Sequence, residues 1–287
     1  MTTDKNPLVS VLMASFNHAQ YVLEAINSVV GQTYKNIELI VIDDGSTDGT
    51  AEIVADLANI HGFIFIKQGN IGYLRTLSKL TALATGKYIS PFASDDIYEL
   101  TKIEKLVEYL ENHPQYVAVH SKICIINSLG VIQQVINEPC RSGKVFGDLL
   151  RADFRINGIS ALVKTDIYRS VERHDDYVDD LPVWLEIARK YEIGFYDEVT
   201  ARYRIHDNHI TSNTSKMMQS EFEIISRYKN TPYYAEAALA VCIRWFWVLS
   251  IKNKREAVKK ISSAGLEPKI LFSKTFYKGI FRLLFRW

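Results

Sequence analysis

What this 287-residue sequence has little of narrows it first. Only three cysteines are present, Cys124, Cys140 and Cys242, and they show neither CxxC nor metal-ligand spacing. That excludes a disulfide-stapled scaffold and a cysteine zinc site, and it fits a reducing compartment. An excess of one charge is missing too: 34 Lys and Arg against 33 Asp and Glu leave a formal net charge of +1, so nothing recommends nucleic acid as the partner. Long apolar runs are absent. The longest, over 237–251, is broken by Arg244 and as a helix would reach only about 22 Å, short of the roughly 30 Å of hydrocarbon in a bilayer. No transmembrane span is expected. The apolar stretch 8–14 is too short for a signal peptide and runs into Ser15-Phe16-Asn17-His18 instead of a cleavage site. A cytoplasmic globular chain of one large or two modest domains is the expectation.

What is there is alternation. Apolar, β-branched runs over 9–14, 37–42, 63–67 and 88–92 read as strands buried on both faces, and helical spacing fills 21–31, 50–59 and 74–84 between them. Strand, helix, strand in this order predicts βαβ units and a parallel, nucleotide-binding half over 1–100. A helix over 101–112, a strand over 116–126, irregular loops to 158, a strand over 159–163, a helix over 181–190 and a long strand over 192–205 make a second half, 101–214. A polar break at 211–215 then opens a region of helices only, predicted over 216–228, 233–251, 254–264 and 269–287.

The strand ends carry the chemistry. The run over 37–42 breaks at once into Asp43-Asp44-Gly45-Ser46-Thr47-Asp48-Gly49-Thr50, with Ser46 or Thr47 as the expected cap of the helix that follows. The strand over 88–92 ends in Ser94-Asp95-Asp96. In open α/β sheets ligands bind outside the carboxyl ends of strands, so these acids face a crevice. Asp179-Asp180 precedes Leu181-Pro182-Val183-Trp184, and Tyr203-Arg204-Ile205-His206 closes the long strand. Taken one at a time, Asp95, Asp96 and Asp180 read equally as helix caps or turn residues, and Asn17 as an Asx-turn.

Taken together and in this order, the Ser15-Phe16-Asn17 loop, the Asp43–Thr50 run, Ser94-Asp95-Asp96, Asp179-Asp180 and Tyr203-Arg204-Ile205-His206 resemble family 2 of the nucleotide-sugar-dependent glycosyltransferases over residues 9 to about 212. The resemblance implies an α/β GT-A fold, a Rossmann-like mixed sheet flanked by helices, here with a C-terminal helical appendix. It also implies an inverting, metal-dependent transfer from a nucleoside-diphosphate sugar, expected to be UDP-linked, to a saccharide acceptor. Asp96 would bind Mn²⁺ or Mg²⁺, and Asp95 would hold the ribose or assist the metal. Asp44 would accept from the base N–H, with Ser15 and Asn17 lining the same pocket. Asp180 would be the catalytic base, Arg204 would meet the diphosphate, and His206 would approach the metal or the diphosphate. In one place the chain departs from the family: Leu77-Ser78 stands where an Arg-Asn pair is usual, with Arg75 and Lys79 nearby as substitutes.

Lys274, Lys278, Arg282 and Arg286 recur every four residues among Phe272, Phe276, Tyr277, Ile280, Phe281, Leu284 and Phe285. That is the pattern of a helix lying in a membrane interface, and Arg244 would extend it. It fits a lipid-linked acceptor and a peripheral position at the inner face of the cytoplasmic membrane, in bacterial surface polysaccharide synthesis. Docking of the apolar face on the preceding helices or in a homodimer accounts for the same stripe. A non-catalytic nucleotide-sugar-binding or scaffold module of the same fold is the alternative function. A nucleotidyltransferase would need a Gly-rich phosphate loop that Ala14-Ser15-Phe16-Asn17-His18 lacks.

Overall fold

The protein is described here by a computed structural model that covers residues 6–173, 180–206 and 214–252. Four parallel strands, β1 (Val9–Ser15), β2 (Ile37–Asp43), β3 (Ile64–Lys67) and β4 (Tyr88–Ala93), are joined by α1 (Val22–Val30), α2 (Thr50–His61) and α3 (Tyr73–Leu83). They continue through β5 (Ile97–Tyr98), α4 (Lys102–Asn112), β6 (Tyr116–Ile126), β7 (Ile132–Val135), β8 (Leu162–Lys164), α6 (Thr165–Ser170), α7 (Asp180–Lys190) and β9 (Glu192–Arg204). The short helix α5 (Phe146–Arg151) precedes β8. Strand order in the sheet is β3-β2-β1-β4-β8-β6-β9-β5, with β7 paired to β6. The strand β8 runs antiparallel to both β4 and β6, and β9 runs parallel to β6, so the sheet is mixed.

Burial explains the order. Val9, Val11, Leu12 and Met13 of β1 and Ile40, Val41 and Ile42 of β2 are at most 1% exposed, as the uninterrupted apolar runs require of strands covered on both faces. The helix α1 contributes Val22, Ala25, Ile26 and Val29, and α4 contributes Ile103, Leu106, Val107 and Leu110, each a single stripe at helical spacing. Each of the Val, Leu and Ile side chains among them is worth about 1.5–3 kcal/mol when buried.

Order reverses between β1 and β4: the chain leaves β1 toward β2 and β3, then returns to the other side. A crevice forms at such a reversal, outside the carboxyl ends of the flanking strands. Beneath it lies a buried polar knot. Lys102 is fully buried, its Nζ donating to Ser90 Oγ at 2.7 Å and lying 3.9 Å from the centre of the Tyr98 ring. Burial holds this amine well below its ordinary pKa. Ser90 Oγ in turn donates to the Ala161 carbonyl at 2.9 Å, tying β4 to the turn before β8.

Two local expectations are corrected. The strand expected over 159–163 is a 3₁₀ turn, Gly158–Ser160, followed by strand only from Leu162. The Asn157 side chain accepts the Ile159 N–H at 3.1 Å and its carbonyl accepts from Ser160, so local side-chain bonding overrides the β-branched pattern. The start of α2 is capped by neither Ser46 nor Thr47. Gly49 takes the left-handed conformation, and Asp48 accepts the Thr50 N–H at 3.0 Å.

A second compact unit contains α8 (Thr214–Ser226) and α9 (Tyr234–Lys252), and also takes in 147–153 of α5 and its following turn. Arg244 pairs with the buried Glu221, whose Oε2 also accepts the Trp245 indole N–H at 2.6 Å. That ties Arg244 of α9 to α8. Among the described residues no helix is long and apolar enough to cross a membrane. The basic stripe from Lys274 to Arg286 lies outside the described residues, as does Asp179.

Candidate active site at the carboxyl ends of the strands

Three loops leave the sheet at this edge. After β1 the chain turns sharply at Asn17, whose φ of 54° is a left-handed value that asparagine tolerates better than most residues. Asn17 Oδ1 accepts the Thr47 N–H at 2.9 Å, its own N–H donates to Ser46 Oγ at 2.8 Å, and the His18 N–H donates to Thr50 Oγ1 at 2.8 Å. Ser15 Oγ donates to Asp43 Oδ2 at 2.9 Å, and Ser46 donates to Asp43 through both its N–H and its hydroxyl. The first two strand ends are therefore one hydrogen-bonded piece.

Asp44 reaches the third loop. Its Oδ1 accepts from Gln68 Nε2 and the Ile71 N–H, and its Oδ2 from the Gly72 N–H, all at 2.9 Å. Only glycine fits at position 45: φ is +84°, and a Cβ there would sit 2.7 Å from the Asn70 backbone nitrogen. Gln68 is also held by Thr76 Oγ1 and by Lys79 Nζ, each at 2.8 Å. Lys79, expected as a substitute phosphate contact, is exposed and joins this chain of bonds. Leu77 is buried, Ser78 caps back onto the Leu74 carbonyl, and Arg75 is exposed on the same helix.

At the end of β4 Ser94, Asp95 and Asp96 are all buried. Asp96 Oδ1 accepts the Arg204 N–H at 2.7 Å, whereas its Oδ2 is buried with no partner. Burial pushes this carboxyl well above its usual range; the neighbouring Asp95 charge adds to that, the Arg204 N–H and charge oppose it, and Asp180 adds again. Asp180 opens α7, is also raised by burial, and accepts the Gly158 N–H at 2.8 Å. A Cβ on Gly158 would lie 2.9 Å from Asp180 Oδ1, so this turn approaches the carboxylate as closely as glycine alone permits. The Tyr203 hydroxyl is raised by burial first, then by the charges of Asp96, Asp95 and Asp180.

His206 Nε2 lies 3.0 Å from Asp95 Oδ2, and His18 Nε2 lies 3.9 Å from the same oxygen. The three ligand atoms fall within 4.8 Å of one another, the one such group of three among the described residues. The sequence reading paired His206 with Asp96; the structure sets it beside Asp95 and adds His18, which no periodicity marks. His18 follows β1 directly, and β1 and β4 are adjacent parallel strands, so their ends share one edge. That adjacency was the available signal.

Arg204 corrects an expectation. Its guanidinium is buried and occupied: Nε donates to the Asp95 carbonyl at 2.7 Å, Nη1 to the Asn127 and Ser128 carbonyls at 3.3 and 3.2 Å, and Nη2 to Glu24 Oε2 at 2.6 Å. The Tyr21 ring lies 4.8 Å from its guanidinium carbon. A side chain so used clamps the acid pair and has no fork left for a diphosphate.

The family model for glycosyl transferase family 2 matches residues 10–168. An uncharacterised glycosyltransferase of Haemophilus influenzae is 31% identical over 241 residues, covering 79% of this chain and 74% of its own. Among solved structures, S. aureus TarS 1-349 in complex with UDP-GlcNAc superposes with a TM-score of 0.66 at 16% identity, over 88% of this chain and 78% of that one. The mannosyltransferase PcManGT from Pyrobaculum calidifontis, in complex with GDP-Man and Mn²⁺, gives 0.65 at 18% identity, over 98% and 86%. With a mixed sheet of the GT-A type and a family match over more than half its length, the chain belongs to glycosyl transferase family 2 and is a glycosyltransferase.

Proposed function

We propose that this glycosyltransferase moves a sugar, with inversion and with the help of a divalent cation, from a nucleoside-diphosphate donor to a saccharide hydroxyl. The observation that carries the reading is the buried, unpartnered Oδ2 of Asp96, which feels the charges of Asp95, Arg204 and Asp180, with His206 bonded to the neighbouring Asp95. A buried carboxylate oxygen without a donor is costly unless something positive meets it. Asp95 and His206 offer an oxygen and an imidazole donor to a divalent cation such as Mn²⁺, Asp96 follows Asp95 directly and adds a carboxylate, and the solved structure with GDP-Man also holds Mn²⁺. When bound, such a cation neutralises charge gathering on the departing diphosphate.

Asp180 is the base. Its carboxylate, fixed by the Gly158 N–H and raised by burial, accepts the proton of the acceptor hydroxyl as that oxygen attacks the anomeric carbon. One base and one displacement give inversion. Asp44 reads the nucleobase: a carboxylate has about four lone-pair sites, three here already accept, and the last, on Oδ2, suits a ring N–H. That favours uracil, hence a UDP-sugar, with Ser15 and Asn17 framing the same pocket. The basic, apolar C-terminal sequence supports a lipid-linked acceptor at the inner face of the cytoplasmic membrane.

The test is release of nucleoside diphosphate from a panel of UDP- and GDP-sugars with Mn²⁺. One donor should be turned over by the wild type and lost at least about 100-fold in Asp96→Asn. Equal, slow release by both proteins across the panel would support the non-catalytic binding module instead.

A further inference from the structure

We propose that His18 is a protein ligand of the cation, so that two imidazoles join the carboxylates of Asp95 and Asp96 around it and the site selects transition metals such as Mn²⁺ and Co²⁺ over Mg²⁺. The inference rests on the metal-dependent reading above and goes beyond it by naming a ligand and a selectivity.

Three observations carry it. His18 Nε2, His206 Nε2 and Asp95 Oδ2 lie within 4.8 Å of one another, with 3.0 and 3.9 Å separating the two histidines from the shared oxygen. Ligand atoms about 2.1 Å from a common ion stand roughly 3.0 Å apart at a right angle and up to about 4.2 Å apart when opposite, so both distances to Asp95 fall in the usable span. Second, His18 Nδ1 lies 2.8 Å from the buried Ser94 Oγ. An Nδ1–H donated to that hydroxyl leaves the lone pair on Nε2, the nitrogen that faces Asp95, which is how an outer partner sets the tautomer of a ligating histidine. Third, the rings are held. The two imidazoles meet edge to face with centroids 5.6 Å apart and planes at 87°, and Tyr21 packs against His206 at 5.0 Å.

Selectivity follows from the donor set. Mg²⁺ demands oxygen ligands in a near-ideal octahedron and sheds water reluctantly, whereas imidazole nitrogen binds Co²⁺ more tightly than Mn²⁺ and both far better than Mg²⁺. His18 comes from the end of β1, Asp95 from the end of β4 and His206 from just past β9. The ion would therefore join three strand ends of the sheet.

The experiment is a Co²⁺ titration of the full chain followed by the d–d absorption of the bound ion, with Mg²⁺ as competitor. It is run on wild type, His18→Ala, His18→Gln and His206→Ala. The expected result is tight Co²⁺ binding in wild type that a large excess of Mg²⁺ leaves in place. Both His18 variants should weaken Co²⁺ roughly 10–100-fold and alter the band shape, with melting temperature in metal-free buffer unchanged. His18→Gln keeps a polar side chain beside Ser94, so its loss of affinity separates ligation from packing. Unchanged affinity and spectrum in both His18 variants, with binding lost in His206→Ala, would overturn the role of His18 and leave the metal site standing. Absence of Co²⁺ binding by the wild type would overturn the metal reading itself.

Discussion

Replacing His120 by phenylalanine should remove about 2 kcal/mol of acid sensitivity between pH 7 and pH 5. His120 sits on β6, 1% exposed, between the rings of Phe154 and Phe195 at 5.6 and 5.0 Å, and its Nε2 has no partner. Burial lowers its pKa from 6.5 to about 3. The native state therefore leaves this imidazole neutral at pH 5 while the unfolded chain protonates it, and the unfolded state binds the extra proton throughout that window. Stability attributable to this residue is full above pH 6.5 and falls as pH drops below it. Integrating from a reference value of 6.5, the loss is about 0.2 kcal/mol at pH 7 and about 2 kcal/mol at pH 5. The second figure hardly depends on the native value so long as that lies below about 4. Urea denaturation of wild type and His120→Phe at both pH values isolates the effect, because every other titrating group contributes alike to the two proteins. The wild type should lose about 2 kcal/mol more than the variant, or roughly 1 M in urea midpoint. Parallel losses would refute the reasoning and mean that the imidazole is protonated within the fold.

Asp180→Asn should lower kcat by about 10²–10⁴ while leaving donor binding, measured by calorimetry with the accepted nucleotide sugar, within about twofold. Arg204→Lys should destabilise the protein by about 3–5 kcal/mol in denaturant unfolding, since the Asp95, Asn127 and Ser128 carbonyls lose their donor; a raised KM for donor with unchanged stability would restore the phosphate-binding role. Gly158→Ala should fold normally by circular dichroism yet lose about 10–100-fold in kcat, because the new methyl displaces the Asp180 carboxylate from 2.9 Å away.

The parallel half was legible because its signals are redundant. The run from Ile37 to Asp43 is apolar, β-branched and closed by a turn, so pattern, propensity and punctuation agree, and β2 ends within one residue of the expected boundary. The two-residue strand β5 and the exposed β7 were not legible, since two to four residues carry no period and their pairing with β9 and β6 is decided by tertiary contact. The region 159–163 misled because its apolar residues are buried in a turn as well as in a strand. In the candidate site, acids at strand ends announced themselves through position. Arg204 did not: its residue type suits phosphate, and only the fold brings four carbonyl or carboxylate groups around its guanidinium. His18 stayed hidden because its place just past the first strand is its one mark, and that mark does not say that residues 18, 95 and 206 meet.

The bond from the Arg204 N–H to Asp96 spans 108 residues, and the one from its guanidinium to the Asp95 carbonyl spans 109. Synthesis on the ribosome runs from the amino terminus, so the four parallel strands are complete while the segment that fixes their acids is still unmade. A nascent chain can therefore enclose its first sheet without acquiring a working catalytic edge. A product truncated before residue 204 would lack both bonds, leaving Asp95 and Asp96 without the amide and guanidinium donors that fix them.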